Sequence, residues 1–372
     1  MNLRTIVLAM LLLPAVPARA AVMLPPDFVA EEIAAGITGA TAMAVAPDGR
    51  LFICEQPGAL RIWKNGKLLD EPFLRLKVDS SWERGLIGVA LDPDFANNHY
   101  VYVTYVVPKP YPHHVISRFT ADGDVATLGS EDILLKGDNQ QKMGGTVKAG
   151  HQGGALHFGP DGKLYISIGE QTSNLPAQEL NTLLGKILRI NADGTIPKDN
   201  PFYAEAEGKY RAIYALGCRN VFCFAVQPGT GHIYLNDVGG AREEINVLSR
   251  PDQNFGWPLA EHGVKTKGRF SDATHSYPFS SITGGAFCPR NNWPAEYHGK
   301  YFFVDFLKGW MKTLDPDQPD KVTDFAAGLP RPTEIRFAPD GSLHILNRNA
   351  WVIDNKFTKA TGTLVRIRYE RK

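Results

Sequence analysis

A chain of 372 residues with 44% hydrophobic side chains is long enough for one large or two ordinary domains around a real core. Its 40 Lys and Arg against 39 Asp and Glu leave it near neutral, which excludes the basic footprint of a nucleic-acid or anionic-membrane binder. Small polar or neutral ligands suit this balance.

Met1-Asn2-Leu3-Arg4 gives a positive start, Ile6 to Pro17 an apolar core too short to span a bilayer, and Ala18-Arg19-Ala20 a small-x-small cleavage site. This predicts a signal peptide over residues 1–20, cut after Ala20, and a secreted or periplasmic mature chain of one domain over residues 21–372. No later stretch is long and apolar enough to span a membrane.

Beyond it, Ala44-Val45-Ala46-Pro47-Asp48-Gly49-Arg50-Leu51-Phe52-Ile53 sets a pattern: apolar run, Pro-Asp-Gly, second apolar run. Pro presets φ for the turn, Asp bonds back to the backbone, and Gly takes the left-handed position. The unit returns at Phe158 to Ile166 and at Phe337 to Ile345. Looser copies run from Leu91 to Val103 and from Val226 to Leu235, and Gly299 to Phe306 is a turnless relative. Further strands read Leu60 to Trp63, Gly185 to Ile190 and Gly362 to Arg368; helical periodicity is scarce, and Ala177 to Leu184 is the best candidate for a short helix. Hairpins recurring along most of the chain predict an all-β six-bladed β-propeller rather than an open sandwich. The long segments Asp138 to Gln152, Asn191 to Arg211 and Gly256 to Ser280 are expected as loops on one face, over the central channel.

Cys54, Cys218, Cys223 and Cys288 allow three pairings in an oxidising compartment, with Cys218 and Cys223 near enough in sequence to pair across a turn. Without a C-x-x-C-H there is no attachment site for a c-type haem, and the spacings do not suit zinc. The cysteines read as structural.

The most chemically suggestive stretch begins at Ala149-Gly150-His151-Gln152-Gly153-Gly154 and ends at Gly169-Glu170. The hairpin between brings the Glu170 carboxylate back toward the loop carrying His151, and a His beside a carboxylate serves as a base near neutral pH. The paired glycines let the backbone pass close to another group.

Four segments, in this order, carry a resemblance: Glu83-Arg84-Gly85-Leu86-Ile87-Gly88, then His151-Gln152-Gly153-Gly154, then Gly217-Cys218-Arg219-Asn220, then Asn236-Asp237-Val238-Gly239-Gly240 with Asn254-Phe255-Gly256-Trp257-Pro258. Together they resemble the glucose/sorbosone dehydrogenase family, six-bladed quinoproteins that oxidise aldoses with pyrroloquinoline quinone and calcium. The resemblance implies His151 as the base for the anomeric hydroxyl, Glu170 as the carboxylate that orients it, and Arg219 as the cation that stabilises charge during hydride transfer. It places Arg219, Asn220, Lys308 and Arg331 around the cofactor, where Arg pairs well with carboxylates. Relatives often carry a second Arg two residues after the first; here that position is Thr333. Gly239 and Gly240 align with a Gly-Pro whose carbonyls ligate calcium, with Asp237, Glu243 and Glu244 adding negative charge nearby. Glu83, where sugar-oxidising relatives often have Gln, and Gln152 fall on the substrate side. The implied activity is oxidation of an aldose or related sugar at C1, with electrons passed to an external acceptor. A ligand- or protein-binding propeller of the same family is the alternative, and a calcium-dependent lactonase a third.

Overall fold

The computed structural model describes residues 22–143, 145, 147, 149–260, 265–350 and 360–370. The expected signal peptide lies outside these residues.

The strands form six antiparallel sheets of four or five strands. Blade one starts with Ala40–Val45, Leu51–Glu55 and Ala59–Lys64; blade two with Leu86–Leu91, Tyr100–Val107 and His113–Asp122. Blade three comprises Gly153–Phe158, Leu164–Ile168, Lys186–Ile190 and Ile213–Leu216, and blade four Val221–Val226, Ile233–Asp237, Arg242–Leu248 and His275–Pro278. Blade five comprises Ile282–Phe287, Tyr301–Asp305, Trp310–Asp315 and Gln318–Ala327. Blade six comprises Pro332–Phe337, Leu343–Asn347 and Gly362–Tyr369, and its outer strand is Phe28–Ile37 from the other end of the chain. The first strand of each blade packs on that of the next, and the sixth packs on the first, which makes the six-bladed propeller.

Every hairpin read from the sequence joins the first and second strands of a blade. In the three Pro-Asp-Gly copies the Asp carboxylate accepts the N–H two residues on: Asp48 from Arg50 at 3.1 Å, Asp161 from Lys163 at 3.1 Å and Asp340 from Ser342 at 2.9 Å. Apolar side chains then fill the space between blades. Phe52, Leu60, Val101 and Val103 meet between blades one and two, for example, and Phe302, Met311, Ile335 and Ile345 between five and six.

At the opposite end of the inner strands all six blades share one irregularity. The pairing of first with second strand slips by a residue between Ala40 and Met43, Leu86 and Gly88, Gly153 and Leu156, Val221 and Cys223, Ile282 and Gly285, and Pro332 and Glu334. A bulge bends a strand and re-aims its side chains. Six of them at one end of the axis turn the strand starts toward a common centre.

Three expectations need correction. Ala177 to Leu184 is not a helix: a single 3-10 turn covers Leu175–Gln178, with Pro176 inside it. Its carbonyls go to tertiary partners, since Lys186 Nζ donates to Pro176 and Ala177, and the Gly217 N–H to Ala177. All four cysteines are buried free thiols; Cys223 faces Glu334, its Sγ 3.3 Å from the carboxylate, and not Cys218. The Asn191 to Arg211 segment follows the third strand of blade three at the Pro160-Asp161-Gly162 end. Arg189 there binds Asp161 at 2.9 Å and Asp199 at 3.0 Å. That segment therefore lies on the face away from His151.

Candidate active site

At the bulged end of the axis lies a cavity of about 300 Å³, walled by residues from all six blades and their connecting loops. Thr41 and Gln56 come from blade one, Glu83 and Ile87 from the approach to and start of blade two, and His151 and Gly153 from blade three. Arg219, Asn220 and Phe222 come from blade four, Thr283 and Phe306 from blade five, and Thr333 and Arg348 from blade six. Phe279, exposed by 60%, and Leu307 flank its mouth.

His151 sits in left-handed backbone, φ 48°, just before the first strand of blade three. Glu170, fully buried, lies two residues past the neighbouring strand Leu164–Ile168, and its Oε1 accepts a hydrogen bond from His151 Nδ1. The loop after Glu170 folds around the same carboxylate: the N–H of Thr172 donates to Oε1 at 2.9 Å and that of Asn174 to Oε2 at 2.5 Å. Burial alone would raise the Glu170 pKa, but the bonds from His151 and Asn174 outweigh it and hold the carboxyl below its ordinary value. An ionised carboxylate only accepts, so the neutral imidazole carries its proton on Nδ1 and Nε2 is its basic atom.

Gly153 and Gly154 do admit a close neighbour, but it is the next strand. A Cβ on Gly154 would lie 2.5 Å from Ile87 of blade two, and one on Gly153 would lie 2.8 Å from the Gly169 nitrogen. Here the glycines serve blade packing and, through it, the position of His151.

Arg219 and Asn220 stand on a turn clamped by Asp237, which accepts their backbone N–H groups at 3.0 and 2.6 Å. Arg219 donates Nη1–H to the Val238 carbonyl at 2.7 Å and lies over the Trp257 ring at 5.3 Å. Its Nε is buried with no hydrogen-bond partner among the described residues. Asn220 is the link between three blades: Oδ1 accepts the Gly153 N–H at 2.9 Å, and Nδ2 donates to Glu83 at 3.3 Å.

The structure thus brings His151, Arg219, Asn220, Glu83 and Gly239 to one cavity, with Glu170 directly behind His151. It does not bring the Gln152 side chain there. That side chain is buried, with Oε1 accepting from Gln140 at 2.9 Å and Nε2 donating to the Gly150 carbonyl at 3.1 Å. Only its backbone N–H reaches Glu83, at 3.2 Å. Gly240 is not among the residues lining the cavity, and a Cβ on it would lie 3.9 Å from Arg219 Nε. Lys308 is exposed next to Leu307, its N–H bound to Asp305 at 2.7 Å, and Arg331 covers the Phe306 ring at 5.3 Å. Both flank the mouth rather than line the cavity. Of the acids near Gly239, Asp237 clamps the Arg219 turn, and Glu243 takes the N–H groups of Ser280 and Ile282, each at 3.0 Å. Glu244 accepts from Asn246 at 3.1 Å. Burial raises the Glu243 pKa. No cluster of three or more His, Cys, Asp or Glu with metal-binding geometry exists among the described residues.

Sequence reasoning passed over Gln56 and Arg348. Arg348 is 3% exposed and lines the cavity; Nη2 donates to Gln56 at 2.5 Å, and Nη1 to the Gly39 and Ala40 carbonyls at 3.3 and 3.2 Å. Burial lowers its pKa to about 9, with Glu83 acting in the other direction, so it is charged at neutral pH. The signal that finds it is a comparison of blades. Glu55, Asp237, Asp305 and Asn347 end the second strands of blades one, four, five and six, and the next residue in each, Gln56, Val238, Phe306 and Arg348, lines the cavity.

A propeller whose axial cavity sets an imidazole–carboxylate pair and a guanidinium around one small space is built to move protons and stabilise charge on a small ligand. The profile of the glucose/sorbosone dehydrogenase family matches residues 38–351, and the chain belongs to that family. It is 30% identical to the aldose sugar dehydrogenase YliI of Escherichia coli over 333 residues, 82% of this chain and 86% of the relative. With quinoprotein glucose dehydrogenase B of Acinetobacter calcoaceticus it shares 31% identity over 294 residues, 71% of this chain and 59% of the relative. The crystal structure of the soluble aldose sugar dehydrogenase from Escherichia coli, in its apo-form, superimposes with a TM-score of 0.78 at 25% identity, covering 92% of this chain and 99% of that one.

Proposed function

We propose that this chain is an exported quinoprotein that oxidises the C1 hydroxyl of an aldose or related sugar, with pyrroloquinoline quinone as cofactor and calcium beside it. The observation that carries the proposal is the contact between His151 Nδ1 and the buried Glu170, at the wall of a cavity that also holds Arg219.

The cavity suits the cofactor. Trp82, Phe222, Phe279 and Phe306 offer apolar surface for a planar ring system, and the buried Nε of Arg219 is a donor waiting for an acceptor. Lys308 and Arg331 flank the mouth, where cations suit a ligand bearing carboxylates. The Gly239-Gly240 turn offers backbone carbonyls, a donor type that calcium takes. When bound, pyrroloquinoline quinone supplies the acceptor for a hydride from C1.

The protein's own part is proton handling and charge. His151 Nε2 takes the proton of the C1 hydroxyl as the C–H bond breaks, and Glu170 stabilises the imidazolium that forms. Arg219 holds a fixed positive charge in the same space, worth most where water is excluded and charge builds up. Glu83, held by Asn220 and the Gln152 N–H, presents an acceptor for sugar hydroxyls. Electrons then leave to an external acceptor.

The test is reconstitution. Protein mixed with pyrroloquinoline quinone and calcium should show a bound-quinone spectrum and sugar-dependent dye reduction across a panel of aldoses. Neither signal from folded protein would overturn the proposal in favour of a binding propeller.

A further inference from the structure

Gln152 follows His151 in the chain, yet its side chain joins a buried polar network outside the cavity, one that also takes in Arg84 of the Glu83 loop. Arg84 Nε donates to Gln140 Oε1 at 2.7 Å, and the Gln140 amide donates twice, to Gln152 Oε1 at 2.9 Å and to His114 Nδ1 at 3.1 Å. His114 Nε2 lies 3.1 Å from the Gln152 carbonyl, and Gln152 Nε2 donates to the Gly150 carbonyl at 3.1 Å. His114, Gln140 and Gln152 are all buried. The protons have one consistent arrangement. A guanidinium only donates, so the Gln140 oxygen faces Arg84 and its NH₂ faces His114 Nδ1; a carbonyl only accepts, so His114 carries its proton on Nε2. His114 is thus neutral, in keeping with burial, which lowers its pKa to about 4.

His151 sits between the two carbonyls that this network holds. It adopts φ 48° and Ala149 φ 66°, left-handed conformations that residues other than glycine keep only where their surroundings fix them. The Gln152 amide holds the Gly150 carbonyl; His114 holds the Gln152 carbonyl together with the Gly169 N–H, at 3.2 Å. We propose that His114 and Gln140 are positioning residues for the His151 base: they lock the backbone on both sides of it and, through Arg84, keep the Glu83 loop in register with it. The inference rests on His151 as the base in the reading above. Neither residue lines the cavity, so both act through His151. His114 belongs to the third strand of blade two and Gln140 to the short helix Gln140–Met143 that follows that blade. Blade two thereby supports the functional loop of blade three.

The experiment reads the His151 ring before it reads turnover. In cofactor-free protein carrying nitrogen-labelled histidine, the magnetic-resonance signal of the Nδ1–H that Glu170 accepts is assigned by its absence from His151→Ala. Its exchange with solvent reports how firmly the ring is held. His114→Phe keeps a ring but neither donates nor accepts; that exchange should quicken by about tenfold or more, as for a locally opened segment. In quinone-loaded protein the same variant should lose about tenfold to a hundredfold in kcat, with cofactor affinity unchanged, because a displaced base is costly. His114→Gln, whose amide can still donate to the Gln152 carbonyl, should recover part of both. Gln140→Met, read in the same two ways, carries the test if His114→Phe does not fold. A merely structural role would lower the melting temperature and leave exchange and kcat of the folded variant at wild-type values, which overturns the proposal. Loaded wild type that oxidises no sugar overturns the quinone reading instead, and the exchange measurement then decides alone whether His114 and Gln140 hold the ring.

Discussion

Glu170 reaches His151 from a position with no solvent exposure, so the ring is held by a carboxylate that water cannot screen. Glu170→Gln keeps the shape but removes the charge and puts an amide NH₂ against groups that already donate. We expect turnover to fall by about 10²-fold or more with little change in cofactor affinity, the pattern of a lost proton-transfer partner. His151→Ala should cost several orders of magnitude with cofactor uptake intact. Steady-state rates beside a quinone titration separate the two effects, and equal rates in wild type and His151→Ala would refute the assigned base.

The same carboxylate links the site to acid stability. Its folded-state pKa lies below the ordinary 4.5, so its contribution is present above that value and is lost as pH falls through the folded-state value. Glu170→Gln should therefore be less stable than wild type near neutrality, and the gap should narrow below about pH 4.5. Thermal melts from pH 3 to 7, read by circular dichroism, measure that gap; a gap that widens in acid would contradict the assignment.

Asp237 clamps the Arg219-Asn220 turn without entering the cavity. Asp237→Ala leaves two buried N–H groups unsatisfied, at about 1–3 kcal/mol each, and frees the Arg219 backbone. Cofactor affinity should fall by about tenfold or more in a protein that still folds, since displacing a positioning group weakens every contact it aims. Calorimetric binding of pyrroloquinoline quinone to the variant is the check, and unchanged affinity would refute the role.

Much of this arrangement is legible in the sequence because it is local. Pro47-Asp48-Gly49, Pro160-Asp161-Gly162 and Pro339-Asp340-Gly341 each specify a turn by their own φ preferences and one side-chain bond, so the repeat, and with it the propeller, reads directly. His151 and Glu170 read as a pair because one hairpin separates them. Arg348 does not, since it meets Gln56 and the Gly39 and Ala40 carbonyls only after the ring has closed. The Ala177 to Leu184 stretch reads as a helix because nothing in it announces that Lys186 and Gly217 take its carbonyl groups. The closing strand Phe28–Ile37 is largely exposed along its length, so its sequence shows little alternation.

Lys186 is a buried lysine with a structural task, its pKa lowered by burial to about 7. Its Nζ donates to the carbonyls of Pro176, Ala177 and Leu184 at 2.8, 3.0 and 2.6 Å, all belonging to the loop that follows Glu170. Lys186→Met keeps the volume and leaves these acceptors without their donor. We expect a loss of about 3 kcal/mol or more, and a softened Glu170 loop that lowers turnover as well. Denaturant unfolding and activity measured on the same preparation check both; a variant as stable as wild type would show that water replaces the Lys186 amino group.

Ring closure depends on Phe28, the first residue of the strand that completes blade six. Phe28 pairs in register with Tyr369, and its ring packs on Trp293, Phe325 and Tyr369 at centroid distances of 4.8, 5.1 and 5.1 Å. The Arg366 pair with Glu31 at 2.7 Å is exposed on the outer rim and adds little by comparison. Phe28→Ala should cost about 3–5 kcal/mol, as for a buried aromatic in a packed core, whereas Glu31→Gln should leave stability nearly unchanged. Because the strand joins the two ends of the chain, the loss should appear as one cooperative shift of the whole unfolding transition. A separate early transition in Phe28→Ala would instead mean that blade six opens without the other five.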